Sequence, residues 1–223
     1  MNKKLVSLVS AWRNSGSSQQ EGFDWTSRKQ AWLKTFPENS DFISQLPTEI
    51  DRDCVRQICQ SQKSETQEKF LAVMIWGYGD LGYGTYRVTN MLNQNNSIQY
   101  LEQTIELCRG GDPKAAYNFL RTNRIRGLGP SYSSKLISFC TPRDIGAPIF
   151  DSFIALWVEE FAKKEFLGIP TSSEVWNLKT YTTYWDWVKE HSEKLDCYPD
   201  EIELVLFRDA ERVFGRDSGW SGK

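Results

Sequence analysis

The sequence predicts an all-α fold, on three observations. Helical signals dominate the chain, and nothing in it reads as a convincing run of alternating strands or as an internal repeat. The third is length: 223 residues can bury a sizeable core, as one large domain or as two small lobes sharing a cleft.

The elements follow in order. A short N-terminal helix gives way to a turn at Asn14 to Gly22, rich in Ser, Gln and Gly, and Trp25 to Thr35 and Cys54 to Gln60 read as further short helices. Ser64-Glu-Thr-Gln-Glu-Lys-Phe begins with a capping-box-like pattern and runs into Phe70 to Trp76, apolar on nearly every face and therefore a central buried helix. Gly77, Gly79, Gly82 and Gly84 interrupt it. Helices follow at Thr85 to Leu92, Ser97 to Cys108, Pro113 to Asn123, and from a Gly-x-Gly turn to Phe139. After Asp151 to Lys163, a Pro/Ser/Thr-containing loop at Gly168 to Ser173 leads to helices at Leu178 to Leu195 and Pro199 to Phe214, with a frayed tail from Gly215. The expected organisation is a hairpin-containing lobe at 64–150 and a C-terminal lobe at 151–214. Residues 1–63 are expected to pack with the C-terminal lobe, and 215–223 to form a flexible tail.

Charge and cysteine usage narrow the function classes. The chain carries a formal charge of −2, which argues against generic coating of polyanions, so any nucleic-acid contact must be local. Between Arg121 and Arg143 stand Arg121, Arg124, Arg126, Lys135 and Arg143 with no acid, a basic island on an acidic protein. Cys54, Cys59, Cys108, Cys140 and Cys197 are scattered without a C-x-x-C pair and His191 is the only histidine, which argues against zinc and iron–sulfur sites and for reduced packing thiols. The absence of a long apolar run or a leader signature sets the expectation of a cytoplasmic protein with no membrane partner.

The most informative stretch is Arg124-Ile-Arg-Gly-Leu-Gly-Pro-Ser-Tyr-Ser-Ser-Lys135, a Gly-x-Gly hairpin opening a helix. Such a start points unpaired N–H groups and a positive dipole end outward, which suits a phosphate. Gly127 and Gly129 permit a tight turn and close ligand approach, Pro130 suits a first helical turn, and Arg126 and Ser131 complete a candidate DNA-backbone grip.

This hairpin, the helix after it, and Asp151 capping the helix beyond it together resemble the helix-hairpin-helix DNA glycosylases, in particular the 8-oxoguanine glycosylase branch. Glu203-Leu-Val-Leu-Phe207 is similar to the helix on which that branch carries a base-reading polar residue and, four positions later, a stacking Phe. The Trp76-Gly-Tyr-Gly and Gly82-Tyr-Gly strings resemble those of a bacterial set of compact glycosylase-like proteins. The resemblance covers about Ser64 to Phe214 and implies an all-α helix-hairpin-helix glycosylase fold of two helical lobes flanking a cleft, a damaged DNA duplex as partner, and base excision repair as the activity. The expected cofactor list is empty apart from a monovalent cation at the hairpin.

The sequence departs from the branch at two positions. Ser131 stands where bifunctional members carry the catalytic Lys, two residues after the second hairpin glycine, and Glu203 stands where the branch carries Gln. Lys135 lies four residues past Ser131, one helical turn along the same face, where a long amine could reach the same sugar carbon. Breaking an N-glycosidic bond builds positive charge on the sugar, so the resemblance implies Asp151 as electrostatic stabiliser and Lys135 as nucleophile, with associated lyase activity. Without the amine, water would attack. Glu203 and Phe207, at i and i+4, share a helix face on which a base could stack, and a carboxylate matches the adjacent N1–H and N2–H2 donors of guanine. Trp76 and its glycine-rich loop join them as candidates facing a flipped nucleotide.

Each residue also has a structural reading. Lys135 would be an exposed phosphate-binding side chain and Asp151 a plain helix cap. Phe207 would be core and Glu203 exposed, and Tyr181, Tyr184, Trp185 and Trp187 would form core rather than a stacking surface. The rival function is a non-catalytic module that binds DNA or a modified guanine nucleotide, or docks to a partner protein of a bacterial antiphage defence operon.

Overall fold

The structure is a computed structural model and describes residues 1–17, 22–166 and 177–215. The predicted loop at Gly168 to Ser173 and all but the first residue of the predicted tail lie outside the described residues. The described residues are almost entirely helical, and the chain divides into two compact units: residues 20–142, and residues 1–19 together with 143–223. The division differs from the expected one, because residues 20–63 belong with the hairpin unit and only the first helix, α1 (Lys3–Asn14), joins the C-terminal segments.

The hairpin unit begins with a two-residue strand β1 (Phe23–Asp24), α2 (Thr26–Thr35), a 3-10 turn at Pro37–Asn39, α3 (Ser40–Gln45) and β2 (Glu49–Ile50). β1 and β2 pair antiparallel, Phe23 opposite Ile50, a pairing too short to leave a periodic trace in the sequence. Then come α4 (Arg52–Gln60), α5 (Thr66–Tyr78), α6 (Gly84–Leu92), α7 (Ser97–Arg109), α8 (Pro113–Thr122) and α9 (Pro130–Cys140).

Helix α5 is the axis of this unit, touching α4, α6, α7 and α9. Its run from Phe70 to Ile75 is fully enclosed, and each large apolar side chain there contributes about 1.5–3 kcal/mol of burial. The capping box that starts α5 sits one residue later than expected: Glu65 is the cap, and its N–H donates to Glu68 Oε2 at 2.8 Å. Asp51 caps α4 by accepting from Cys54 N at 2.7 Å, and Asp112 caps α8 by accepting from Ala115 N at 2.9 Å ahead of Pro113.

The terminal unit contains α1, α10 (Ser152–Phe161), a 3-10 turn at Lys163–Glu165, α11 (Leu178–Leu195) and α12 (Pro199–Phe214). Helix α12 packs on α1, α10 and α11 through Ile202, Leu204 and Leu206, all fully buried. One carboxylate ties three helices: Asp209 accepts from Trp157 Nε1 of α10 at 2.9 Å, and pairs with Lys4 of α1 at 2.9 Å and with Arg212. Asn2 caps α1 from its Oδ1 while its Nδ2 donates to Phe161 O at 2.9 Å and Glu165 Oε1 at 2.6 Å. Tyr181, Tyr184, Trp185 and Trp187 are buried in this core, as helical spacing suggested.

Candidate functional site

The hairpin joins α8 to α9 through residues 123–129. Gly127 adopts φ +97°, a conformation L side chains rarely take, whereas a Cβ there would meet only ordinary contacts with Met91 at 3.5 Å; the glycine is needed for its backbone angle. Gly129 has an ordinary φ of −75° and open space where a Cβ would stand, so neither backbone angle nor packing within the described residues requires a glycine there. Pro130 occupies the first turn of α9 and no side chain caps that helix start. Leu128 N donates to Ile125 O and Gly129 N to Gly127 O, at 3.0 and 3.1 Å, closing the turn.

A residue with no sequence signal fixes this loop from beside it. Gln94, just beyond α6, accepts from Arg126 N at 2.7 Å and donates to Arg126 O at 2.8 Å, so one side-chain amide binds both backbone polar groups of one residue. Arg124 and Arg126 are exposed, whereas Arg121 and Arg143 are half-buried. The basic island is thus divided, and Arg143 is further spent on Asp200 and Glu201 at 3.2 Å each.

Lys135 is not an exposed side chain: 8% of it is accessible, and its Nζ donates to Ser131 Oγ at 3.2 Å. The amine stands 5.8 Å from the centroid of the Tyr132 ring, which stacks on Tyr78 at 4.5 Å. Burial and the neighbouring Tyr78 phenol push the Tyr132 hydroxyl well above its ordinary value, so it stays neutral. Gly77 of α5 completes this corner, because a Cβ there would lie 2.9 Å from Tyr132 Cε1 and 3.5 Å from Lys135 Cδ. Trp76, the preceding residue, packs edge-on against Phe139 at 5.0 Å with the Arg52 guanidinium 5.5 Å from its ring, leaving 7% of it exposed. Its buried Nε1 has no hydrogen-bond partner among the described residues.

In the terminal unit, Asp151 caps α10 by accepting from Ile154 N at 3.2 Å and is half-buried. The loop before it is anchored by two aromatic hydroxyls of α11: Tyr181 donates to Pro148 O at 3.3 Å and Tyr184 to Ile149 O at 3.2 Å. Tyr184 also stacks on Phe150 at 4.6 Å. These two tyrosines, read from the sequence as core alone, also position the backbone that delivers Asp151. Glu203 and Phe207 lie one turn apart on α12, but their burial is the reverse of the structural expectation. Glu203 is fully enclosed, while Phe207 is half-buried with its ring edge-to-face on Phe153 at 5.6 Å.

The predicted residues therefore group by unit. Trp76, Arg126, Gly127, Gly129, Ser131 and Lys135 fall in the hairpin unit, and Asp151, Glu203 and Phe207 in the terminal unit. Among the described residues, no three His, Cys, Asp or Glu side chains gather as metal ligands, and no helix is long and apolar enough to cross a membrane. Burial pushes the Cys59 and Cys108 thiols up, which keeps them protonated and poor nucleophiles.

A family described as "Putative 8-oxoguanine DNA glycosylase OGG-like protein" matches residues 16–207. Searches of curated proteins and of solved structures give no match. The family match spans both units and contains every residue of the hairpin, the Asp151 cap and the Glu203–Phe207 helix. The chain belongs to the OGG-like family of helix-hairpin-helix, DNA glycosylase-type proteins.

Proposed function

We propose that the protein excises an oxidised guanine of the 8-oxoguanine type from DNA, with Lys135 as nucleophile. The observation that carries this reading is the 3.2 Å hydrogen bond from Lys135 Nζ to Ser131 Oγ. It brings the Lys135 amine beside Ser131, the position at which bifunctional members of the branch carry their lysine, which supports a nucleophile supplied from one turn further along the helix.

In the first step the unprotonated amine attacks C1′ of the target nucleotide. The N-glycosidic bond breaks, the base leaves with the bonding electron pair and takes the proton that the amine gives up, and the C1′–O4′ bond then breaks, O4′ taking a proton from solvent, to leave a protonated Schiff base on Lys135. Positive charge grows on the sugar before the new bond is complete, and Asp151 stabilises it: one oxygen caps α10, and a carboxylate has acceptor capacity beyond that bond. Phe207 supplies a stacking face and Glu203 accepts from the paired N1–H and N2–H2 donors of the base. Because Glu203 is enclosed, this recognition requires the side chains around it to part.

The test is a duplex holding one 8-oxoguanine, incubated with protein and borohydride. A covalent adduct in the wild type that is lost in Lys135→Ala, together with reduced base release in Asp151→Asn, is the expected result. Base release without any adduct would transfer the attack to water and remove Lys135 as nucleophile. Absence of both adduct and base release overturns the reading for this lesion.

A further inference from the structure

Beside the hairpin, the unit formed by residues 20–142 carries an open groove lined by Tyr86, Arg87, Asn90, Gln94, Arg126 and Gly127. Its lining holds two guanidinium groups and no carboxylate. Helix α6 buries Val88 and Met91 and turns Tyr86, Arg87 and Asn90 outward. At 70% exposure, Tyr86 is the most exposed large hydrophobic side chain among the described residues, an expensive place for an aromatic ring that nothing covers.

One cation has a ring partner and the other a fixed backbone. The Arg87 guanidinium lies 4.7 Å from the centroid of the Tyr83 ring, and the N–H and C=O of Arg126 are both bound by Gln94. An exposed ring beside two guanidinium groups and a loop of glycine backbone is the chemistry that takes a base together with its phosphates.

We propose that this groove holds an unpaired nucleotide of a DNA strand, its base stacked on Tyr86 and its phosphates paired with Arg87 and Arg126. The inference rests on the DNA-acting reading above and extends it to a strand-holding site on α6, separate from Lys135. A strand fits better than a free nucleotide because the groove is open and both arginines are exposed, whereas small-molecule sites enclose most of their ligand. The nucleotide must be unpaired because a base inside a duplex offers no free face to the ring.

The probe is a short fluorescent oligothymidylate, titrated by anisotropy at several salt concentrations. Wild type binds it. Tyr86→Ala and Arg87→Ala each weaken binding about tenfold, within the range typical of a lost base–aromatic stack or a lost phosphate contact. Tyr86→Phe stays within about twofold because the ring and not the hydroxyl stacks. Arg87→Ala also lowers the slope of log affinity against log salt by about 0.7, the loss of one phosphate on a single strand. The substituted side chains are exposed, so folding is not at stake. Failure of the wild type to bind the oligonucleotide, equal affinity in wild type and both alanine variants, or a thymidine monophosphate that binds as tightly as the strand each overturns the proposal. The excision reading fails separately, by absence of adduct and base release on the 8-oxoguanine duplex, a result that leaves oligothymidylate binding unchanged.

Discussion

Gly77 and Tyr132 approach so closely that a Cβ on the glycine would lie 2.9 Å from the ring, a distance real Cβ atoms essentially never show. The ring cannot retreat, because it is stacked on Tyr78 at 4.5 Å and its hydroxyl donates to the Gly77 carbonyl at 3.4 Å. Lys135 Cδ lies on the same side, 3.5 Å from that Cβ position, so the glycine shapes the corner in which the candidate nucleophile is held. Gly77→Ala is expected to destabilise the protein by about 1–3 kcal/mol through overpacking, read from the urea midpoint. It is also expected to reduce borohydride trapping at saturating DNA, because displacing Tyr132 moves the amine. Normal stability with normal trapping would show that the corner does not position Lys135.

Gln94 makes a different prediction, because its two bonds to Arg126 support a loop; its Nε2 also donates to Asn90 O at 2.8 Å within its own segment. Gln94→Ala removes both contacts to the Arg126 backbone, and since that backbone is near solvent the stability cost is about 0.5–1.5 kcal/mol. The larger effect is expected on DNA: a hairpin no longer held in one conformation pays its ordering on binding, so affinity for any duplex falls severalfold with the salt slope unchanged. Gln94→Glu tests the two-way match, since a carboxylate accepts from Arg126 N but cannot donate to Arg126 O. It should lose part of the affinity, and more of it at low salt, where its negative charge repels phosphate.

These two residues mark where sequence reasoning reached and where it stopped. The α5 run from Phe70 to Trp76 was legible because a helix apolar on nearly every face has one stable place, the interior. The hairpin was legible because Gly-x-Gly before Pro-Ser announces a positive φ and a helix start, and Gly127 has that φ. Residues 20–63 were assigned to the wrong lobe for a physical reason: amphipathic spacing shows which face of α4 is apolar, with Val55 and Cys59 buried, but carries no mark of which helices receive it. They are α5 and α9. The structural reading of Glu203 as exposed failed in the same way, since a carboxylate between Ile202 and Leu204 reads as solvent-facing until the chain is folded around it. Gln94 offered nothing to read, because a side-chain amide becomes a clamp only when a distant turn is brought to it.

Gly146 carries both reasons for a glycine. Its φ is +61°, and a Cβ would lie 2.5 Å from Pro199 Cγ and 2.9 Å from two further atoms of the same ring. The proline cannot yield, since its ring opens α12 and fixes that backbone. Gly146→Ala is therefore expected to cost about 2–4 kcal/mol, combining left-handed strain with a clash against a rigid group. The loop it belongs to leads through Pro148 and Ile149, held by Tyr181 and Tyr184, to Asp151. Tyr184→Phe is the milder probe of that path: it removes the bond to Ile149 O but keeps the stack on Phe150, so it should lower base release more than it lowers stability.

Asp209 sets an acid limit on the terminal unit. Burial alone would raise its carboxyl, but hydrogen bonds from Arg212, Lys4 and Trp157 outweigh burial and hold it below the usual carboxylate range. A carboxyl depressed by folding contributes stability that is fully present above its unfolded value, about 3.9, and is lost as pH falls through the lower folded value. Asp209→Asn keeps an acceptor for Trp157 but removes the charge that faces Lys4 and Arg212, both of which reach solvent, so the cost near pH 7 is about 1–3 kcal/mol. Urea unfolding of wild type and variant in parallel isolates this group from the other acids. The wild-type advantage should stay constant from pH 7 to about 5 and shrink below about 4, and an advantage that persists unchanged at pH 3 would show that packing around Trp157, rather than the carboxylate charge, holds α1, α10 and α12 together.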